Sequence, residues 1–188
     1  MARPQKFVMG RCWLIALLLS ASLQPAVAAP PIAGHFSLSA GDGRQITERS
    51  FRGRWKLVFF GFTTCPDVCS TVMSSVGTAL SELGSKAELL QPLFITLDPA
   101  RDTSQRLREY LSTFSPRIVG LRGDEAATRE AAASYRVFFE TRSLGEDSYT
   151  FDHSAFLYLM RPNGSFARLL SGDMPGHALA DVLRQELQ

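Results

Sequence analysis

The sequence predicts an α/β fold: a mixed central β-sheet with helices on both faces and an N-terminal hairpin. Three observations carry this expectation. Apolar runs of strand length alternate with stretches of helical periodicity, the order that gives parallel strands joined by helical crossovers. A turn signal near the C-terminus adds an antiparallel hairpin. Two cysteines, Cys65 and Cys69, fall at the first strand-to-helix junction.

Each element has its own local reason. Phe36-Ser37-Leu38 and Gln45-Ile46-Thr47 flank Gly41-Asp42-Gly43 and read as a small hairpin. Residues 56–62 are nearly continuously apolar, as in a strand buried on both faces. Pro66 suits the first turn of a helix, with Cys65 as its cap. Val68, Val72, Val76, Leu80 and Leu83 then follow helical spacing, and Gly84 stops the helix. Residues 93–97 form a second buried strand. Asp102-Thr103-Ser104-Gln105 has capping-box spacing and opens a helix to about Thr113. Residues 118–121 are a short strand, and Asp124 caps a helix running to about Tyr135. Residues 137–141 and 155–160 read as strands. Arg161-Pro162-Asn163-Gly164 turns the chain so that residues 166–170 pair back, and residues 178–187 form a terminal helix. A dithiol at the first junction of such an order is the thioredoxin-like arrangement.

The N-terminus reads differently. Arg3, Lys6 and Arg11 precede an apolar run at residues 12–23, and Ala26-Val27-Ala28 is a small-residue cleavage site. That pattern is a secretory signal peptide over residues 1–28. The run is short for a membrane span, which needs roughly 17–25 residues, so a retained anchor is not expected. Residues 29–33 read as a linker and residues 34–188 as one domain. Three of the 20 Lys and Arg, and none of the 18 Asp and Glu, lie in residues 1–28, so the rest carries a net charge of −1. No nucleic-acid footprint follows from that balance. An exported, periplasmic protein does.

Loss of Cys12 with the signal leaves Cys65 and Cys69 as the only cysteines of the mature chain. They are spaced by about one helical turn, so both sulfurs face one way. Such a pair binds a soft metal or closes a disulfide. A purely structural bridge is a poor explanation, because a loop this short constrains the unfolded chain little and a domain of this length builds its own core. A helix N-terminus favours the thiolate, the form that binds metal or attacks a disulfide. Thioredoxin-type pairs have two intervening residues, and this one has three. Two cysteines are too few for an iron–sulfur cluster in one chain. Two thiolates and one imidazole suit three-coordinate Cu(I), and an added weak ligand suits Cu(II).

Three histidines are candidates for the imidazole: His35, His153 and His177. His153 lies just before a strand and its hairpin, where it can reach the first helix. His35, near the mature N-terminus, and His177, near a helix start, read as surface residues. Asp67, between the cysteines, either tunes them or simply favours a first helical turn. Asp98 and Asp102 look like a carboxylate pair, but a turn and a helix cap explain them. Phe59, Phe60, Phe62, Phe138 and Phe139 read as core.

Taken together, Phe60-Gly61-Phe62-Thr63-Thr64-Cys65-Pro66-Asp67-Val68-Cys69, then Thr96-Leu97-Asp98-Pro99-Ala100-Arg101-Asp102-Thr103, then Asp152-His153-Ser154 resemble the SCO/SenC family. The resemblance runs from about Gly34 to the C-terminus. It implies a thioredoxin-like fold and copper bound by Cys65, Cys69 and His153. It implies a metallochaperone that serves assembly of the binuclear copper centre of cytochrome c oxidase. The implied partners are the oxidase subunit carrying that centre and a copper donor protein or thiol reductant. Asp98 and Asp102 match the family's Asp-Pro-x-x-Asp stretch and receive no ligand role. Two features depart from many members: Ser70 follows the second cysteine in place of proline, and the N-terminal segment reads as cleavable rather than as an anchor. The alternative reading is a thiol-disulfide oxidoreductase with Cys65 attacking and Cys69 resolving. A peroxide-reducing enzyme on the same fold would need a dedicated activating set, and no distinct motif for one is present.

Overall fold

The computed structural model describes residues 31–145 and 148–187. The expected signal peptide and the first two linker residues lie outside the described residues. Ser37–Ala40 and Gln45–Thr47 form the expected hairpin, β1 and β2, with Leu38 opposite Ile46 and both buried. Trp55–Gly61 forms β3. The buried run Lys56 to Gly61 gives it apolar contacts on both faces.

Val68–Leu83 forms α1, and its apolar spacing buries Val72, Met73, Val76, Leu80 and Leu83. The helix starts later than expected. Asp67, not Cys65, is its cap position, and Pro66 precedes the helix. Val68 is therefore in the first turn and 47% exposed, outside the core that its spacing suggested. Gly84 ends α1 at φ 55, a backbone state that glycine adopts without a Cβ clash. A 3-10 turn over Gly84–Leu89 then leads into β4, Leu90–Thr96, every residue of which is buried.

Ser104–Ser112 forms α2. Thr103 caps it, its side chain accepting from the Arg106 N–H. Asp102 is thus not the cap that its spacing suggested. Val119–Arg122 forms β5, and Glu125–Tyr135 forms α3, capped as expected by Asp124, which accepts from the Ala127 N–H. Phe139–Gly145 and Ser148–His153 form β6 and β7, the latter unexpected. Phe156–Met160 and Phe166–Ser171 are β8 and β9, the expected hairpin, and Gly176–Glu186 is the terminal helix α4.

The main sheet has the order β2-β1-β5-β4-β3-β8-β9. β3, β4 and β5 run parallel, and β8 joins β3 antiparallel, so the sheet is mixed as expected. The pleat of β3 divides its side chains. Leu57 and Phe59 pack with α1, α2 and α4 through Val76, Leu107 and Leu183. Val58 and Phe60 pack with α3 through Ala132 and Tyr135 on the opposite face. Burying each such side chain contributes about 1.5–3 kcal/mol, so this double-sided anchorage fixes where β3 ends. Among the described residues, β6 and β7 pair only with each other, as a two-stranded ribbon. Phe138, read as core, is 57% exposed where the chain enters this ribbon. Among the described residues, no helix is long and apolar enough to cross a membrane.

Candidate metal centre

The C-terminal end of β3 and the start of α1 place the two cysteines. Six residues, 62–67, connect them. The Cys65 N–H donates to the Phe62 carbonyl at 3.2 Å, closing a turn. Cys69 then sits in the first turn of α1, fully buried. Although Cys65 does not cap the helix, its Sγ accepts the Cys69 N–H at 3.4 Å. An orphan first-turn donor is thereby satisfied by sulfur. Both cysteines are free thiols, Cys65 partly exposed. Gly61 makes room for the inner one. A Cβ at that position would lie 2.8 Å from Cys69 Sγ and 2.8 Å from the Phe59 ring.

His153 comes from the two-stranded ribbon, at the end of β7. Its Nε2 lies 3.8 Å from Cys69 Sγ, and its Nδ1 lies 3.1 Å from the Ser154 carbonyl oxygen. A carbonyl only accepts, so Nδ1 carries the proton and Nε2 keeps its lone pair toward the sulfurs. Phe59 and Phe62 flank the imidazole edge-on, with ring centroids 6.2 and 5.8 Å away. One ligand atom from each of Cys65, Cys69 and His153 falls within 4.8 Å of the others. No fourth His, Cys, Asp or Glu joins that group among the described residues. Two soft sulfurs and one imidazole nitrogen, pre-gathered at this distance, fit a soft cation such as Cu(I).

The two thiols differ sharply. The hydrogen bond from Cys69 pulls the Cys65 thiol down to about 4. Burial opposes this, while the backbone N–H groups of Cys69 and Asp67 assist it. Cys69 is pushed far up, because it donates its proton to Cys65 and is itself buried beside that negative charge. The reduced pair thus holds one thiolate, outermost, and one thiol behind it. A cavity of about 300 Å³ opens onto Cys65, lined also by Asp67, Phe151 and His153.

The structure brings together the three predicted ligands and leaves the others apart. His35 pairs with Glu48 at 3.4 Å, on the hairpin edge. His177 is exposed in the first turn of α4. Asp67 is exposed, and its carbonyl accepts the Ser70 hydroxyl at 2.7 Å. Ser70 therefore braces the first turn of α1 by a side-chain bond.

Sequence reasoning missed Asp102. It is fully buried and accepts from Thr63 N at 3.0 Å, Thr63 Oγ1 at 2.5 Å and Thr96 Oγ1 at 2.6 Å. It therefore fixes the cysteine loop two residues before Cys65. Its match to a capping box concealed that role. Gly61 was legible in principle, since a glycine in a strand pattern marks a close approach.

Comparison with known proteins agrees with this geometry. The SCO1/SenC family model matches residues 24–188. The mitochondrial SCO1 protein of Saccharomyces cerevisiae is 43% identical over 145 residues, covering 75% of this chain and 49% of that protein. The copper-bound crystal structure of Arabidopsis thaliana ScoI matches with a TM-score of 0.77 at 34% identity. That match covers 83% of this chain and 98% of the other. The copper-bound ScoI of Bradyrhizobium japonicum matches with a TM-score of 0.76 at 36% identity, covering 82% of this chain and 98% of that one. The chain spans about half the length of its curated SCO1 relatives from yeast and Arabidopsis. The match over nearly the whole chain, with the paired cysteines and a histidine gathered at one end of a thioredoxin-like sheet, shows that the chain belongs to the SCO1/SenC family.

Proposed function

We propose that this protein binds copper through Cys65, Cys69 and His153 and serves, as a metallochaperone, the assembly of the binuclear copper centre of cytochrome c oxidase. The observation that carries the reading is the convergence of the three ligand atoms within 4.8 Å. Relatives whose structures hold copper share the fold at 34–36% identity. Cu(I) is the form this donor set suits, and Cu(II) requires a further weak ligand.

The residues divide the work. Cys65 offers a ready thiolate, and His153 offers a ready lone pair. Cys69 gives up its proton on loading, so uptake releases protons. Transfer proceeds by ligand exchange. It begins at the partly exposed Cys65 and His153, because Cys69 is wholly buried. The recipient is the oxidase subunit carrying the copper centre. The suppliers are a copper donor protein and a reductant that keeps both thiols free. The site works in the periplasm, with residues 1–28 removed as an export signal, residues 29–33 as a linker and residues 34–188 as the copper-binding domain. Nucleic acid plays no part.

The test is copper titration of the reduced protein. About one copper per chain is expected from a single three-ligand site. His153→Ala is expected to weaken binding sharply with the fold intact; unchanged affinity would defeat the ligand assignment. N-terminal sequencing of the exported protein is expected to begin at Ala29, and an intact N-terminus would refute the cleaved signal.

The asymmetry of the thiols favours a second reading, reduction of a partner's disulfide. The Cys65 thiolate attacks one partner sulfur, and the other partner sulfur leaves as thiolate and takes up a proton. Cys69 then loses its proton and attacks Cys65 Sγ, releasing the second partner thiol. Two electrons pass to the partner, leaving a Cys65–Cys69 disulfide. This chemistry does not require His153 as a ligand. An active disulfide reductase that binds no copper would favour it.

A further inference from the structure

The loop at residues 98–102, between β4 and α2, touches both halves of the ligand set. One end, Asp102, holds Thr63 in the cysteine loop. The other end faces the ribbon that carries His153. Asp98 is 1% exposed and is ion-paired with Arg101. The Tyr149 hydroxyl donates to Asp98 Oδ1 at 2.9 Å, and Arg101 Nη1 donates to the Tyr149 carbonyl at 3.0 Å. The guanidinium also stacks 3.8 Å above the Tyr149 ring. A planar fork can make the ion pair, the backbone bond and the stack at once.

Tyr149 lies on β7, as does His153. Residues at i, i+2 and i+4 of a strand share a face, so Tyr149, Phe151 and His153 form one row pointing at the body of the protein. Each finds its own partner. Tyr149 meets Asp98 and Arg101, Phe151 meets the Phe62 ring at 5.3 Å, and His153 meets Cys69. Among the described residues, the ribbon makes no ladder with the main sheet. A cavity of about 220 Å³, lined by Leu97, Thr128, Phe139 and Phe151, separates part of it from α3. After His153 the chain is fixed by β8. Before it, directional bonds to the body come from the Asp98–Arg101–Tyr149 cluster.

We propose that Asp98, Arg101 and Tyr149 form a clamp that positions His153 against the cysteine pair. They are positioning residues, acting through β7. The Asp-Pro-x-x-Asp stretch, which supplies no ligand, thus sets the distance between imidazole and sulfur from one short loop. The clamp's effect on copper rests on the copper reading above; its effect on the imidazole does not.

The test uses Arg101→Gln, Arg101→Lys and Tyr149→Phe in the full chain, with and without His153→Ala. Cu(I) affinity is read by competition with a chromophoric chelator. Imidazole nitrogen coupling is read by electron paramagnetic resonance of the Cu(II)-loaded protein. Arg101→Gln is expected to weaken binding roughly 10–100-fold, as loss of a ligand's supporting partner does, and to diminish the nitrogen coupling. Arg101→Lys restores part of both. Tyr149→Phe, which keeps the ring and removes one hydroxyl, moves both in the same direction by less. In the His153→Ala background Arg101→Gln adds no further loss, because the clamp acts only through that ligand. Unchanged affinity and coupling in Arg101→Gln and Tyr149→Phe overturn the proposal, as does an equal loss in the His153→Ala background. Should Arg101→Gln not fold, Tyr149→Phe alone decides on the same terms. Should the wild type bind no copper, the copper reading fails separately. The clamp is then judged on the metal-free protein by the His153 ring-proton shifts, which Phe59 and Phe62 set. Shifts unchanged in Tyr149→Phe overturn it, and displaced shifts support it.

Discussion

His153 Nε2 stands 3.8 Å from Cys69 Sγ across 84 residues of chain, with its Nδ1 already engaged by the Ser154 carbonyl. The imidazole is therefore oriented before any metal arrives. In the neutral ring of the reduced, metal-free protein the proton is expected on Nδ1. Nitrogen NMR of the labelled protein checks this, because protonated and bare ring nitrogens resonate far apart. A predominantly Nε2-protonated ring would mean that the lone pair points away from the sulfurs.

The unequal thiols give a pH dependence with a definite sign. Cys65 falls from an ordinary 9.0 to about 4, so its thiolate predominates at every pH between those values, where an exposed thiol is mostly protonated. The thiolate, not the thiol, attacks iodoacetamide and displaces iodide. Alkylation at Cys65 is expected to stay fast as pH falls from 9 to 6 and to fail only as pH drops through about 4. Cys69, buried and raised, is expected to resist. Peptide mapping after brief alkylation at pH 6 reads both at once. Preferential labelling of Cys69, or a Cys65 rate that collapses below pH 8, would contradict the arrangement.

How legible these features were depended on how local their causes are. The spacing of Val72, Val76, Leu80 and Leu83 reports a buried helix face directly, and α1 buries all four. Residues 56–62 report a doubly buried strand in the same way. The β6–β7 ribbon has no such signature. Its residues are partly or fully exposed, so no burial alternation marks them, and β7 went unseen although it carries His153. His153 itself was picked out because its neighbourhood resembles a known family. Asp102 was misread because the capping rule is local, whereas its partner Thr63 lies 39 residues away. The start of α1 was misread for a related reason. Proline fits a first turn, but here it belongs to the loop that lifts Cys65 outward.

Asp102→Ala would leave the Thr63 N–H, the Thr63 hydroxyl and the Thr96 hydroxyl without their shared acceptor in the interior. An unsatisfied buried donor costs about 1–3 kcal/mol, and hydroxyls can turn to other partners while the amide cannot. A net loss of about 2–4 kcal/mol is expected on that basis. Urea unfolding followed by circular dichroism measures it. Because the carboxylate grips the cysteine loop, copper affinity is expected to fall in the same variant even well below the unfolding transition. Stability within 0.5 kcal/mol of wild type, the range of ordinary surface changes, would mean that the loop is held by something else.

Gly61→Ala tests the opposite kind of defect, too much matter in place of too little bonding. The new Cβ would meet Cys69 Sγ and the Phe59 ring at 2.8 Å and the Phe94 ring at 3.2 Å. Phe59 and Phe94 are buried in the sheet's α1-facing core and cannot retreat far. The sulfur, at the start of a helix beside the partly open Cys65 loop, has the softer surroundings. The strain is therefore expected to move Cys69 away from β3 and to disturb its approach to His153. Overpacking of this size destabilises by about 1–3 kcal/mol, and copper affinity is expected to fall with it while Cys65 remains the faster thiol to alkylate. Calorimetric melting, copper competition and the alkylation assay separate these effects. Loss of stability with full copper affinity would place the strain on the aromatic rings and leave the sulfur where it is.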